Sequence, residues 1–295
     1  MSVKVRPAHN PFFQMPQHLH LDFETHSAAD LKKVGAYRYA FDPSTEILCA
    51  AMSLGDEEPE VWSQVNRSIC PPPRFDFYLD WLQDPSVLIY AHNASFEMAI
   101  CQALLQKTWG IPCPALNRFR CTMSFARRAS LPAKLEKLAE VLDLPAKKDA
   151  RGKALIKKFS CLPTRATKAN PTCARIRPED DPAAFAEFCA YCAQDVRVEQ
   201  QVAKRLAYFD EPINNSNYTL DAIINARGVT VNLEALRHAQ TLIDEETAIV
   251  SQKFRALTGF EVTQNARLLA WLREQGVDLP DLQAETIENF LEGVK

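Results

Sequence analysis

The chain has 295 residues, 47% of them hydrophobic, and a net charge of −3 from 34 basic and 37 acidic side chains. That length allows one large domain or two ordinary ones with a real core, no apolar run approaches membrane-spanning length, and the acidic balance excludes a uniformly basic nucleic-acid binder. Nine scattered cysteines, an odd number without framework spacing, indicate free thiols in a reducing cytoplasm, and the lone Cys189-Ala190-Tyr191-Cys192 has no second pair to complete a zinc site.

Residues 1–17 lack the apolar stretch of a secretory signal and read as a leader. From Leu19 to Thr25, apolar Leu19, Leu21 and Phe23 alternate with His20, Asp22 and Glu24, the period of a half-buried strand, so Asp22 and Glu24 share a face. Neighbouring carboxylates repel, and a strand end that tolerates them usually has a cation between them; hard oxygen ligands suit Mg²⁺ or Mn²⁺ better than Zn²⁺. A polar outer face explains a lone Asp-x-Glu just as well, so the pair gains meaning only from later stretches.

Residues 34–41 and 46–54 then read as two more strands around a turn at Asp42-Pro43-Ser44, with a short extension at 60–62, together an antiparallel meander. Pro71 to Pro73 break the chain before a helix over 75–82 and a strand over 87–90. A helix follows over 95–107, with Ser95 as its N-cap. A strand is expected at 119–121, a helix from Thr122, and another over 134–142 with Leu135, Leu138, Ala139 and Leu142 on one face. Asp181 as cap and Pro182 at the first position start a helix that runs to about 209. Mixed strands and helices make this an α/β domain with a partly antiparallel sheet. Glu211-Pro212-Ile213-Asn214-Asn215 marks a boundary, and the rest is helical: 218–226, 233–257, 265–274 and 284–291.

One charge run stands out. Residues 147–177 hold ten Lys/Arg and one acid, so the segment carries +9 and the remainder −12. Such a bias fits a polyanion lying against it, with Arg151, Lys153, Lys157 and Lys158 in or beside a helix over 153–159.

Tyr191 and Asp195 are four apart on the long helix and project from one face. With Asp22 and Glu24, and with Asn93, Phe96 and Glu97 at a strand-to-helix turn, they assemble four carboxylates and a tyrosine from three elements. Asp22-Phe23-Glu24-Thr25, Asn93-Ala94-Ser95-Phe96-Glu97 and Tyr191-Cys192-Ala193-Gln194-Asp195 resemble the three motifs of the DEDDy 3′→5′ exonucleases, in detail the proofreading domain of family A, phage-type DNA polymerases. The resemblance implies a ribonuclease-H-like fold over 18–210, then the start of a helical polymerase thumb over 211–295. Palm and fingers would lie beyond Lys295, so the chain looks like a fragment or truncated relative without polymerase activity.

The resemblance also implies roles. Asp22, Glu24, Glu97 and Asp195 would hold two divalent ions, Mg²⁺ or Mn²⁺, and Tyr191 would orient the attacking water. Thr25, Asn93 and Phe96 would shape the pocket for the terminal nucleotide. The substrate would be a DNA 3′ end, single-stranded or frayed, and the product nucleoside monophosphates, made by a monomer in the cytoplasm of a bacterial or phage-infected cell, away from membranes. The second motif usually ends in Asp; Glu97 keeps the charge and adds a methylene. Two competing expectations stand beside this one, an RNA-trimming enzyme of the same superfamily and a catalytically silent DNA-binding module.

Overall fold

The computed structural model describes residues 18–65, 75–145, 151–166 and 170–293. The leader, the Pro71–Pro73 break and Lys147, Lys148 and Lys168 of the basic run lie outside them. The first strand, β1 (His18–His26), is central in a five-stranded sheet. It pairs antiparallel with β2 (Glu46–Leu54), which pairs antiparallel with β3 (Glu60–Ser63). On its other side it pairs parallel with β4 (Leu88–Ala91), which pairs parallel with β5 (Phe119–Cys121). The order β3-β2-β1-β4-β5, three antiparallel strands followed by two parallel ones, is a mixed, partly antiparallel sheet, as the α/β reading expects.

Helices cover both faces, so β1 is buried on both rather than on one. Leu19, Leu21 and Phe23 enter a core with α1 (Leu31–Ala40), α2 (Phe75–Gln83) and α3 (Ser95–Trp109). On the opposite side lie α4 (Thr122–Arg128), α5 (Leu135–Val141), α6 (Gly152–Phe159) and the long α7 (Pro182–Arg205). The α7 helix starts as its sequence dictates, with the Asp181 carboxylate accepting from the Ala184 amide at 3.1 Å and Pro182 where no amide partner is needed. It buries Phe185, Phe188, Cys192, Val196 and Val202 against the sheet.

Two local expectations are corrected. Residues 34–40 form the rest of α1 and Phe41 caps it, so this stretch is not a strand. Local capping and packing decide it: Asp30 caps the helix by accepting from Lys32 at 3.0 Å, Gly35 takes a φ of +78° that kinks it, and Tyr39 and Ala40 are buried at its end. Ser95 is the first helical residue rather than the cap, and its hydroxyl lies 3.0 Å from the Tyr218 hydroxyl.

The chain divides into two compact units, 1–228 and 229–295. The expected change at 210/211 is where α8 (Pro212–Arg227) begins, but α8 packs with the first unit: Tyr218 and Ala222 join the core beneath the sheet. The second unit holds α9 (Leu233–Thr258), α10 (Asn265–Glu274) and α11 (Ala284–Gly293). Asn232 caps α9 through Ala235, Gly259 ends it at φ +77°, and Phe254 meets Phe260 edge-on at 5.8 Å. Among the described residues no helix is long and apolar enough to cross a membrane, and all eight described cysteines are free.

Candidate active site

The polar side of β1 faces α7. Asp22 and Glu24 from the strand and Asp195 from the helix each place a carboxylate oxygen within 4.8 Å of the others. Asp195 is buried and the other two are partly exposed. The Cys192 thiol, one helical turn before Asp195, donates toward Asp22, at 3.4 Å from Oδ2 and 3.5 Å from its carbonyl. Carboxylates this close repel one another unless a proton or a cation lies among them. An all-carboxylate donor set this tight fits a hard divalent cation.

Glu97 stands beside this trio rather than within it. It lies in the first turn of α3, is 2% exposed, and its Oε2 is buried with no hydrogen-bond partner among the described residues. Burial drives its pKa well above the usual carboxylate range, the Asp22 charge adds to that, and Glu199 contributes further. A buried oxygen without a donor, under the field of Asp22, is what a ligand awaiting a cation would show.

Tyr191 sits one turn before Asp195, its ring parallel to Phe188 at 6.3 Å and an interplanar angle of 3°. Its pKa is pushed far up, first by burial, then by the charges of Asp195 and Glu24 and by its hydrogen bond to Asp195. The phenol is therefore a neutral donor pointed into the acidic cluster, suited to orienting a water and unsuited to removing a proton.

The pocket residues are arranged less simply. Thr25 is buried and its hydroxyl is 2.9 Å from that of Tyr39. Phe96 packs against the same Tyr39 ring at 6.0 Å. Tyr39 thus ties the first motif to the second, a link hidden by reading its helix as a strand. Burial, the leading cause, raises the Tyr39 pKa to about 12. Asn93 is exposed at the β4–α3 turn with φ +71°, its carbonyl accepting from Phe96 at 2.9 Å. His92 beside it lies 2.9 Å from the Ala133 carbonyl and 3.1 Å from the Thr122 hydroxyl.

Two further residues escaped the sequence reading. Glu199, one turn beyond Asp195, meets His20 at 2.5 Å in a fully buried pair. Tyr218 of α8 reaches Ser95, two residues from Glu97. Neither carries a motif; only the fold brings them near.

The basic run is partly spent on internal pairs. Arg151 meets Glu187 at 3.1 Å, Lys158 meets Asp181, and Arg175 meets Glu46. Lys153 and Lys157, four apart on α6 and exposed, have no ion pair among the described residues. The buried side of the same helix inserts Leu155 and Phe159 against Phe185, Phe188 and Tyr191.

No family model matches the chain. It is 34% identical over 277 residues to a DNA polymerase of Bacillus phage SP02, a match that takes in 93% of this chain and 41% of that protein. This chain thus spans well under half the length of that relative. Among solved structures it is similar to Escherichia coli RNase D, an exoribonuclease involved in structured RNA processing, at 13% identity and a TM-score of 0.42 over 72% of this chain and 46% of the other. It is also similar to the catalytic core of RRP6 from Trypanosoma brucei, at 16% identity and 0.37 over 70% and 46% of the two chains. Brucella melitensis NrnC with bound Mg²⁺ is a third, at 16% and 0.32 over 73% and 90%. At such distances the fold assignment rests on the strand order.

Proposed function

Because this chain is homologous to a phage DNA polymerase over most of its own length, and carries motifs resembling that family's exonuclease domain, we propose that it is a metal-dependent 3′→5′ exonuclease acting on DNA 3′ ends, single-stranded or frayed. The observation that carries the reading is the meeting of Asp22, Glu24 and Asp195 within 4.8 Å, with the Tyr191 phenol bonded to Asp195.

In this reading Asp22, Glu24 and Asp195 would hold Mg²⁺ or Mn²⁺, and Glu97, buried beside Asp22, would help to hold a second ion. When bound, such ions would supply electrostatic stabilisation for phosphodiester hydrolysis. Tyr191 holds the water in line, and its hydrogen bond to Asp195 fixes the phenol. Phe96 and Asn93 border the terminal nucleotide, Thr25 supports that wall through Tyr39, and Lys153 and Lys157 hold the strand behind the cleavage point. Water adds to the last phosphodiester, its bond to the penultimate 3′ oxygen breaks, and a nucleoside 5′-monophosphate leaves. Residues 211–295 we assign as the link to, and the start of, a polymerase thumb, supported by the extent of the match to the phage enzyme.

The test is a gel of 5′-labelled and 3′-labelled single-stranded DNA with Mg²⁺, Mn²⁺ or chelator. The reading predicts a shrinking 5′-labelled ladder, immediate release of label from the 3′-labelled strand, and no reaction with chelator. A matched RNA oligomer cut faster than DNA would move the assignment to RNA trimming, because only the 2′-OH differs. Binding without hydrolysis in Mn²⁺ would leave a silent DNA-binding module.

A further inference from the structure

We propose that Gly152 is a positioning residue for the Tyr191 phenol, and that through it the basic helix α6 sets the geometry of the site; the inference rests on the exonuclease reading.

The chain has eight glycines, and six of them (35, 55, 110, 228, 259 and 276) take a positive φ that explains the residue. Gly293 sits at the end of α11 with nothing within 4 Å of where a Cβ would be. Gly152 differs from all of these. It is buried, lies outside the left-handed region, and a Cβ there would stand 2.1 Å from Cε2, 2.6 Å from Cζ and 2.7 Å from Cδ2 of Tyr191. What it provides is the missing side chain, at the ring edge next to the hydroxyl.

The ring is therefore clamped by two elements. Phe188 of its own helix lies parallel to it, and the α6 backbone closes the hydroxyl end. Leu155 and Phe159 anchor α6 in the same apolar cluster. The residue after Gly152 is Lys153, exposed and, among the described residues, without an ion pair, with Lys157 one turn on. The helix that would grip phosphate thus touches the phenol that would orient water, and a strand drawing α6 aside would also move Tyr191. Packing alone would equally account for a buried glycine, so the test must read the hydroxyl.

The experiment compares Gly152→Ala in three backgrounds, parent, Tyr191→Phe and Tyr191→Ala, by single-turnover hydrolysis of single-stranded DNA in Mn²⁺, DNA binding by anisotropy in chelator, and thermal unfolding. Displacing a catalytic group by ~1 Å can cost about 100-fold. Gly152→Ala is expected to lower the parent rate at least tenfold, leave binding within threefold, and add no loss of rate in Tyr191→Phe, where the ring remains but the hydroxyl is gone. Its melting temperature should fall in the parent and in Tyr191→Phe but not in Tyr191→Ala. A parent rate unchanged within twofold, or an equal loss of rate in Tyr191→Phe, overturns the proposal. Failure to fold that Tyr191→Ala does not rescue overturns it too, since the glycine would then serve α6 itself; rescue upholds the contact. A parent that hydrolyses nothing sinks the exonuclease reading instead, while the melting temperatures still report the Gly152–Tyr191 contact.

Discussion

The interface between β1 and α7 has two ends that solve the same problem in opposite ways. At one end His20 meets Oε2 of Glu199 at 2.5 Å, both side chains buried, so one carboxyl oxygen is paired within the protein while Oε1 is buried without a hydrogen-bond partner among the described residues. At the other, Asp22 and Glu24 meet Asp195, carboxylate against carboxylate. The two ends are kept in step by geometry. Four helical residues rise about 6 Å and two strand residues about 6.6 Å, so Tyr191, Asp195 and Glu199 run antiparallel to Glu24, Asp22 and His20. A fold able to match a buried acid with histidine at one position leaves three acids facing each other two residues away. The difference is that one end pairs an acid with a histidine of the same chain, whereas the other sets three acids against one another, the arrangement the proposed metal site requires.

The sharpest way to break that comparison is to remove the acids. Asp22→Ala with Asp195→Ala should cut hydrolysis of single-stranded DNA by orders of magnitude while circular dichroism stays that of the parent. Undiminished hydrolysis would place the chemistry elsewhere.

The structural end should answer in stability rather than in rate. Glu199→Ala leaves a buried imidazole unmatched and should cost about 1–3 kcal/mol in urea unfolding, with the rate per folded molecule changed far less than by either acid. A large loss of rate at unchanged stability would make Glu199 part of the site.

Glu97 lies between the two ends in character, buried like Glu199 yet under the field of Asp22. Glu97→Asp should match or exceed the parent rate if the extra methylene only crowds a second ion; a large loss would show that this chain depends on the longer side chain. The smallest effect on rate is expected from the two exposed lysines of α6. Lys153→Ala with Lys157→Ala should flatten the salt dependence of single-strand binding by about 0.7 in log–log slope for each phosphate no longer neutralised, with the rate at saturating DNA little changed. An unchanged slope would make the run a solvated face.

The acidic end was legible in the sequence because its residues come in short motifs at fixed spacing: the two-residue period put Asp22 and Glu24 on one face, and the four-residue period did the same for Tyr191 and Asp195. The structural end was not. Glu199 is one glutamate in a long helix and His20 one polar residue in a strand, and only their packing across 179 positions joins them. Tyr39 was obscured because an aromatic alternation fits a strand and a kinked helix equally, and tertiary packing on α3 decided between them. Gly152 drew no reading inside the charge run; only the Tyr191 ring beside it shows why no Cβ is there. Pro212 was read as part of a boundary and is the first residue of α8, whose Tyr218 closes on the second motif.

The comparison is tested most directly by the melting temperature with and without Mn²⁺, for the parent and for Asp22→Asn with Asp195→Asn. A ligand at 100 times its Kd stabilises by about 2.7 kcal/mol, and the like-charge repulsion in the cluster is relieved either by the cation or by neutral side chains. Mn²⁺ is expected to raise the melting temperature of the parent, and the double variant to melt higher than the metal-free parent and no longer respond to Mn²⁺. An equal rise in both proteins, or none in the parent, would contradict the assignment of the acidic cluster as a metal site.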